Sequence, residues 1–308
     1  MLLGLQLMPT HPSEHGNHAD TLLAVVRACE EAGLDSVWMA DHFMFSDEEN
    51  PEREVPILEC FATLGAIAAV TDRIRIGQLV VGVPYRNPAL LAKTCATLDV
   101  ISHGRTIVGL GAAWHEPEFN AYGWSFPLVR ERMEMLEEAV QVVDRMLTQR
   151  PASFDGKHYT VSGAYNDPRP VQHPRPPILI GGSGERVTLR LVATRADMCN
   201  VSGSPGEVER LFGVLAGHCQ AVGRPFGEIT RCNHVSILIA NDETELAAKA
   251  RRHPEFGGIA GTPETVVARL REYAAVGSQY VTFTLADSDD VEAVRLIGET
   301  VVPALADM

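Results

Sequence analysis

Short apolar runs alternate with longer amphipathic stretches along this chain, and the alternation predicts its elements. Eight runs read as strands: Leu3–Met8, Ser36–Ala40, Ile74–Val81, Thr106–Gly111, Pro177–Ile180, Asp197–Val201, His234–Ala240 and Tyr280–Leu285. Several are apolar on successive residues, as a parallel sheet requires when helices cover one face and other side chains fill the reverse. Between them, apolar positions recur at helical spacing in Asp20–Ala32, Leu58–Val70, Ala89–Ile101, Leu128–Leu147, Glu185–Thr194, Pro205–Ala221, Glu243–Arg252 and Pro263–Val276, and Val291–Leu305 closes the chain. Gly33 and Gly277 stand where helices should end, and Thr262-Pro263-Glu264 reads as a helix cap with proline in the first turn. This βα alternation favours an α/β fold of the (β/α)8 TIM barrel type over a doubly wound sheet.

One connection breaks the rhythm. Residues 114–176 contain a long helix, a small hairpin turned at Asp155-Gly156 and the proline-rich run PRPVQHPRPP, which should be an extended surface connection because proline offers no donor. These residues hold too few periodic apolar elements for a second domain. The expected organisation is one barrel domain over residues 1–308, with 114–176 as an insertion between strands four and five that lies over the mouth.

Charge and composition narrow the partners. The 308 residues carry 26 basic and 40 acidic side chains, a formal charge of -14, which would repel a phosphate backbone and argues against nucleic acid. Acidic clusters at Asp47–Glu49, Asp242–Glu245 and Asp287–Asp290 read as solvated surface. Six scattered cysteines include no C-x-x-C pair, and no histidine–carboxylate set has convincing metal spacing. The N-terminus MLLGLQLMP lacks a basic region, and no apolar run approaches the length of a membrane span. A cytoplasmic location, with no metal and no membrane partner, is the expectation.

Chemistry in such a fold gathers beyond the carboxyl ends of the strands. There the sequence places Asp41-His42, the segment Val80-Val81-Gly82-Val83-Pro84-Tyr85, the stretch TIVGLGAAWHE ending in His115 and Glu116, and Gly181-Gly182-Ser183-Gly184. Closely spaced Gly109 and Gly111 resemble a dinucleotide fingerprint, but its third glycine would fall on Trp114, which excludes that version. His42 is a candidate proton carrier, with capping of a strand edge as the alternative. His115 either lines the pocket or opens the next helix. The run GGSGE reads as a phosphate cradle of main-chain amides before a helix, although a tight turn explains its glycines almost as well. Trp114 and Trp124 fall in mouth loops, where either a flat ring or the insertion would occupy them. There is no G-x-S-x-G and no P-loop motif, so the redox chemistry of a bound cofactor is the better expectation.

The pieces AGLDSVWMADHF, TDRIRIGQLVVGVPYRNPALLAKTCATLDVISHGRTIVGLGAAWHEPEFNAYG, PRPVQHPRPPILIGGSGE and GTPETVVARLREYAAVG, in this order, resemble the bacterial luciferase-like flavin or deazaflavin oxidoreductases, especially the coenzyme F420-dependent branch. The resemblance implies a barrel with the ring in its mouth, commonly a homodimer, transferring a hydride between F420 and a small organic substrate. An FMN-dependent monooxygenase served by a separate flavin reductase is the alternative, and a non-catalytic flavin or F420 binder a third. It implies cofactor contacts at Asp41, Val81, Gly82, Val83, Gly109, Gly111, Ala112, Gly181, Gly182 and Ser183, catalytic roles for His42 and His115, and a non-proline cis bond at Gly82-Val83. Two positions depart from the sugar-phosphate-oxidising members. Ala112 stands where they carry a glutamate, and Ser46 where they carry a tryptophan, which speaks against that substrate class.

Overall fold

A computed structural model describes residues 1–8, 11–46 and 54–307. The acidic cluster Asp47–Glu49 lies outside the described residues. Eight parallel strands form the barrel: β1 (Leu2–Leu7), β2 (Ser36–Met39), β3 (Arg75–Gln78), β4 (Thr106–Gly111), β5 (Ile178–Gly181), β6 (Met198–Ser202), β7 (Thr230–Ile239) and β8 (Tyr280–Leu285). Each pairs with its neighbours in sequence, Ile178 of β5 opposite Val108 of β4, and β1 lying between β8 and β2 closes the ring. Helices α1 (His18–Glu31), α2 (Cys60–Val70) and α3 (Pro88–Ile101) follow the first three strands.

Two apolar layers hold this shell. One lies between strands and helices, and the other fills the barrel with Trp38, Ile107, Leu179, Met198, Cys232 and Tyr280, topped by Leu79 and Val80. Trp38 is fully buried, and a glycine on each adjacent strand leaves room for its ring. A Cβ on Gly4 or on Gly77 would lie 2.6 Å from its indole ring, closer than packed atoms approach. All six cysteines are free and buried, packing as small core residues.

The insertion contains α4 (Glu116–Ala121), α5 (Val129–Thr148) and the hairpin Ala152–Asp155 with Thr160–Ala164. Its charges tie it down. The carboxylate of Glu138 on α5 accepts the amides of Lys157, His158 and Tyr159 at the hairpin turn. Buried Asp99 accepts those of Val171 and Gln172, pinning the extended proline-rich run to α3. The second half of the shell adds α6 (Thr188–Arg195), α7 (Pro205–Val222), α8 (Glu243–Arg252), α9 (Pro263–Ala275) and α10 (Val291–Leu296). No helix among the described residues is long and apolar enough to cross a membrane.

Three expectations change. The third predicted strand is broken: β3 ends at Gln78 and pairing resumes only at Val81–Gly82. The fifth helix starts at Thr188, not Glu185, because Gly182 adopts φ +125° and the chain makes a further turn before helical bonding begins. A short strand, Ile259–Gly261, adds to the outer end of β7 and extends it beyond the barrel.

Candidate active site

The carboxyl ends of the strands open into a cavity of about 470 Å³. Its floor is Leu79 and Val80, the residues between β3 and Val81–Gly82. The non-proline cis bond is here, at Leu79-Val80, and not at Gly82-Val83 as the resemblance implied. Val81 and Val83 point away into the layer between barrel and helices and are fully buried, so the apolar seat is formed by the two residues preceding them.

The glycines around this floor serve the protein before any ligand. A Cβ on Gly109 would fall 1.8 Å from the Gln78 carbonyl oxygen, one on Gly111 2.5 Å from Val80 Cγ2, and one on Gly181 3.0 Å from Val80 Cγ1. Gly109 makes room for the Gln78 carbonyl and Gly111 and Gly181 for Val80, while Gly111 and Gly181 still border the cavity.

On one wall stands His42, just beyond β2. Its Nδ1 lies 3.0 Å from Oε1 of Glu118 on α4, whose Oε2 accepts the Phe43 amide at 2.9 Å. Glu118 is buried, which disfavours its charge, yet the bonds from His42 and Phe43 and the charges of His42 and His115 outweigh burial and hold its carboxyl below the usual range. An ionised carboxylate only accepts, so Nδ1 of His42 carries a proton. Trp114 packs edge-on to His42 at 5.7 Å and borders the cavity. His115, the residue capping α4, packs edge-on at 5.9 Å and stands outside the cavity wall.

Asp41 faces the other way. It takes a two-pronged ion pair from Arg86, at 2.7 and 2.5 Å, and Arg86 also reaches Glu59. Burial raises the Asp41 pKa more than Arg86 lowers it. The dipeptide Asp41-His42 is therefore not a pair, and the carboxylate serving His42 comes from 76 residues later. Tyr85 donates to the Asp41 carbonyl at 2.5 Å and stacks on Trp124 in an aromatic group with Phe43 and Tyr122. Trp124 thus belongs to the insertion and packs it against Phe43 and Tyr85 of the barrel loops. Ala112 borders the cavity, and Arg132 of α5 donates to the carbonyls of Ala112 and Ala113, fastening the insertion to the mouth.

Half a turn around the barrel, β6 and β7 contribute Asn200, Ser202 and His234. Asn200 Nδ2 donates to Thr282 Oγ1 at 2.9 Å, and His234 Nδ1 lies 3.1 Å from the same oxygen. Burial pushes the His234 pKa down to about 4, so the ring is neutral at pH 7. Ser202 and His234 also border a second, adjoining cavity of about 630 Å³.

The loop after β5 suits an anion. Gly182 borders the cavity in a conformation that only glycine adopts readily, and its amide goes to the Asn200 carbonyl. Among the described residues, no protein acceptor meets the amides of Ser183, Gly184, Glu185 or Arg186. Ser183 sits at the rim, where its hydroxyl accepts the Ser202 amide. An apolar floor beside a row of open amides fits a flat ring that carries a phosphate. Among the described residues no cluster of potential metal ligands occurs.

The family model described as luciferase-like monooxygenase matches residues 1–258. The chain belongs to this family. As a luciferase-like monooxygenase family member it is an oxidoreductase. It is 31% identical over 227 residues to the F420-dependent glucose-6-phosphate dehydrogenase of Kineococcus radiotolerans, a match covering 72% of this chain and just under two thirds, 65%, of that protein. It is 36% identical over 249 residues to an uncharacterized protein of Mycobacterium tuberculosis, covering 77% and 84% of the two chains. Among solved structures, an F420-dependent secondary alcohol dehydrogenase in complex with an F420-acetone adduct superposes with a TM-score of 0.83 at 18% identity over 99% of this chain and 98% of that one. The F420-dependent tetrahydromethanopterin reductase of Methanopyrus kandleri does so with 0.79 at 21% identity over 98% of both. At these identities the likeness is one of fold.

Sequence reasoning missed Glu118, Gln6, Asn200 and His234. Gln6 carried a signal, a polar residue near the mouth end of an otherwise apolar strand, whereas Asn200 and His234 lie mid-strand, and His234 is one of several polar residues in β7.

Proposed function

We propose that this protein is an F420-dependent oxidoreductase that transfers a hydride between the deazaflavin and a small organic substrate. The observation carrying the reading is one cavity that combines an apolar floor, an open-amide loop at its rim and a histidine fixed by a buried carboxylate. When bound, the deazaflavin supplies two-electron chemistry as hydride, and the protein supplies position and proton traffic. Leu79 and Val80 would seat the ring, and the amides of Ser183 to Arg186 would hold the phosphate. His42 Nε2 takes the proton released when a substrate hydroxyl is oxidised and returns one in the reverse direction. Glu118 keeps the proton on Nδ1, and Trp114 shields this side of the cavity from water.

The substrate class is a neutral or weakly polar molecule. No lysine or arginine borders the mouth cavity among the described residues, and Ala112 offers no acid, which counts against a sugar phosphate. Anaerobic titration with F420 and with FMN, followed by the absorbance and fluorescence of each, tests the reading. Saturable binding of F420, with FMN at least ~10-fold weaker, is expected; tight binding of FMN alone would favour a monooxygenase supplied by a reductase and overturn it.

A further inference from the structure

Just past the open-amide loop, a groove of about 470 Å³ runs down the outside of the barrel between α5 and α6. Arg186, Arg190 and Arg195 line it, with Glu137 on the opposite wall. All three arginines are exposed, and none makes an ion pair or a side-chain hydrogen bond among the described residues. That is an unusual concentration of uncompensated positive charge on a chain of net charge -14. It also opposes local helix electrostatics. Arg186 precedes α6 and Arg190 lies in its first turn, where the helix dipole disfavours cations, and no acidic residue occupies that turn. Like charges four residues apart add a further small penalty.

Gly182 and Thr188 border the mouth cavity while Arg186 and Val187 border the groove, so one loop forms the common wall of both. We propose that the groove is a subsite for an oligocarboxylate chain attached to the phosphate end of the cofactor. This rests on the cofactor reading above and sharpens it, because FMN ends at its phosphate whereas F420 continues beyond it into a chain of glutamates. From Arg186 to Arg195 the groove follows roughly nine residues, about 13 Å at helical rise, enough for a short run of amide-linked carboxylates. The exposed guanidiniums pair with those carboxylates at the surface, so the contribution falls as salt screens it.

The experiment titrates wild type and Arg186→Gln/Arg190→Gln/Arg195→Gln with F420 bearing several glutamates and with the same cofactor lacking them, at about 20 and 200 mM salt. Dissociation constants come from deazaflavin fluorescence, with far-ultraviolet circular dichroism checking that the variant folds. Wild type should bind the glutamylated form about tenfold more tightly at low salt, and the advantage should shrink at high salt. The triple variant should lose the advantage, binding the two forms with equal affinity, and Arg190→Glu alone should reduce it by several fold. Equal affinity of wild type for the two forms, or an advantage that survives in the triple variant, overturns this subsite alone. Failure of wild type to bind either form overturns the cofactor reading with it.

Discussion

Oε1 of Glu118 stands 3.0 Å from Nδ1 of His42, bringing the first turn of an insertion helix to the residue after a barrel strand. Replacing Glu118 by Gln should therefore change how His42 is held without emptying the site. Turnover should fall about 10²-fold, at the lower end of the range for loss of general acid–base assistance, while the dissociation constant for the cofactor stays within about threefold. Single-turnover and binding measurements side by side test this. A parallel loss of both would make Glu118 a purely structural support.

His42→Ala should cost more in the same direction, about 10²–10⁴ in turnover, with cofactor affinity again preserved because floor and loop are untouched. Added imidazole should restore part of the turnover in this variant. If imidazole restores none of it, His42 does not carry the proton.

The Glu118 carboxyl is lower in the folded protein than its ordinary value of 4.5. The folded state thus binds this proton less readily than the unfolded chain, and the group adds stability that is present above pH 4.5 and lost as pH falls through the folded value. Wild type should exceed Glu118→Gln in urea stability by about 1.5–3 kcal/mol at pH 7, the range for hydrogen bonds to a charged group, and the gap should narrow below pH 4.5.

His234 gives a second, separate acid limb. Its folded pKa of about 4 lies below the ordinary 6.5, so the unfolded chain takes up a proton first and stability falls as pH drops from 6.5 toward 4. The slope from this one group is at most about 1.4 kcal/mol per pH unit. His234→Gln should flatten stability between those values, measured as urea midpoints on a pH series; an unchanged curve would place the titration elsewhere.

Gly111→Ala puts a methyl 2.5 Å from Val80 Cγ2 and should destabilise by about 1–3 kcal/mol, the usual range for overpacking, while pushing Val80 into the cavity and weakening ring binding. Adding Val80→Ala should restore part of both losses. The double-mutant cycle reads the coupling directly, and additive losses would mean that the glycine is needed for another reason.

The barrel was legible in the sequence because strand and helix periods differ and eight apolar runs alternate with helices. That His42 and the Gly181–Ser183 loop lie at the mouth was legible from their places at strand ends. Glu118 was hidden by its context: an acid between Pro117 and buried Phe119 looks like an ordinary first-turn residue, and only the folding of α4 over β2 carries it to His42. The break at Leu79-Val80 was invisible for the opposite reason, since both residues are as apolar as the strand they interrupt. The glycines at 109, 111 and 181 were read as openings for a ligand, because a sequence does not reveal which neighbour will claim the vacated space.

For Gly111 and Gly181 that claimant is a single isopropyl group. On two strands they yield to Val80 while Gly109 clears the Gln78 carbonyl, so the Val80 side chain, beside Leu79, stoppers the barrel from above. The depth at which anything rests in the mouth is consequently a one-residue variable. A larger or smaller plug would raise or lower the bound ring relative to His42 while leaving strand pairing unaltered, a route by which one scaffold can be adjusted to rings and substrates of different thickness.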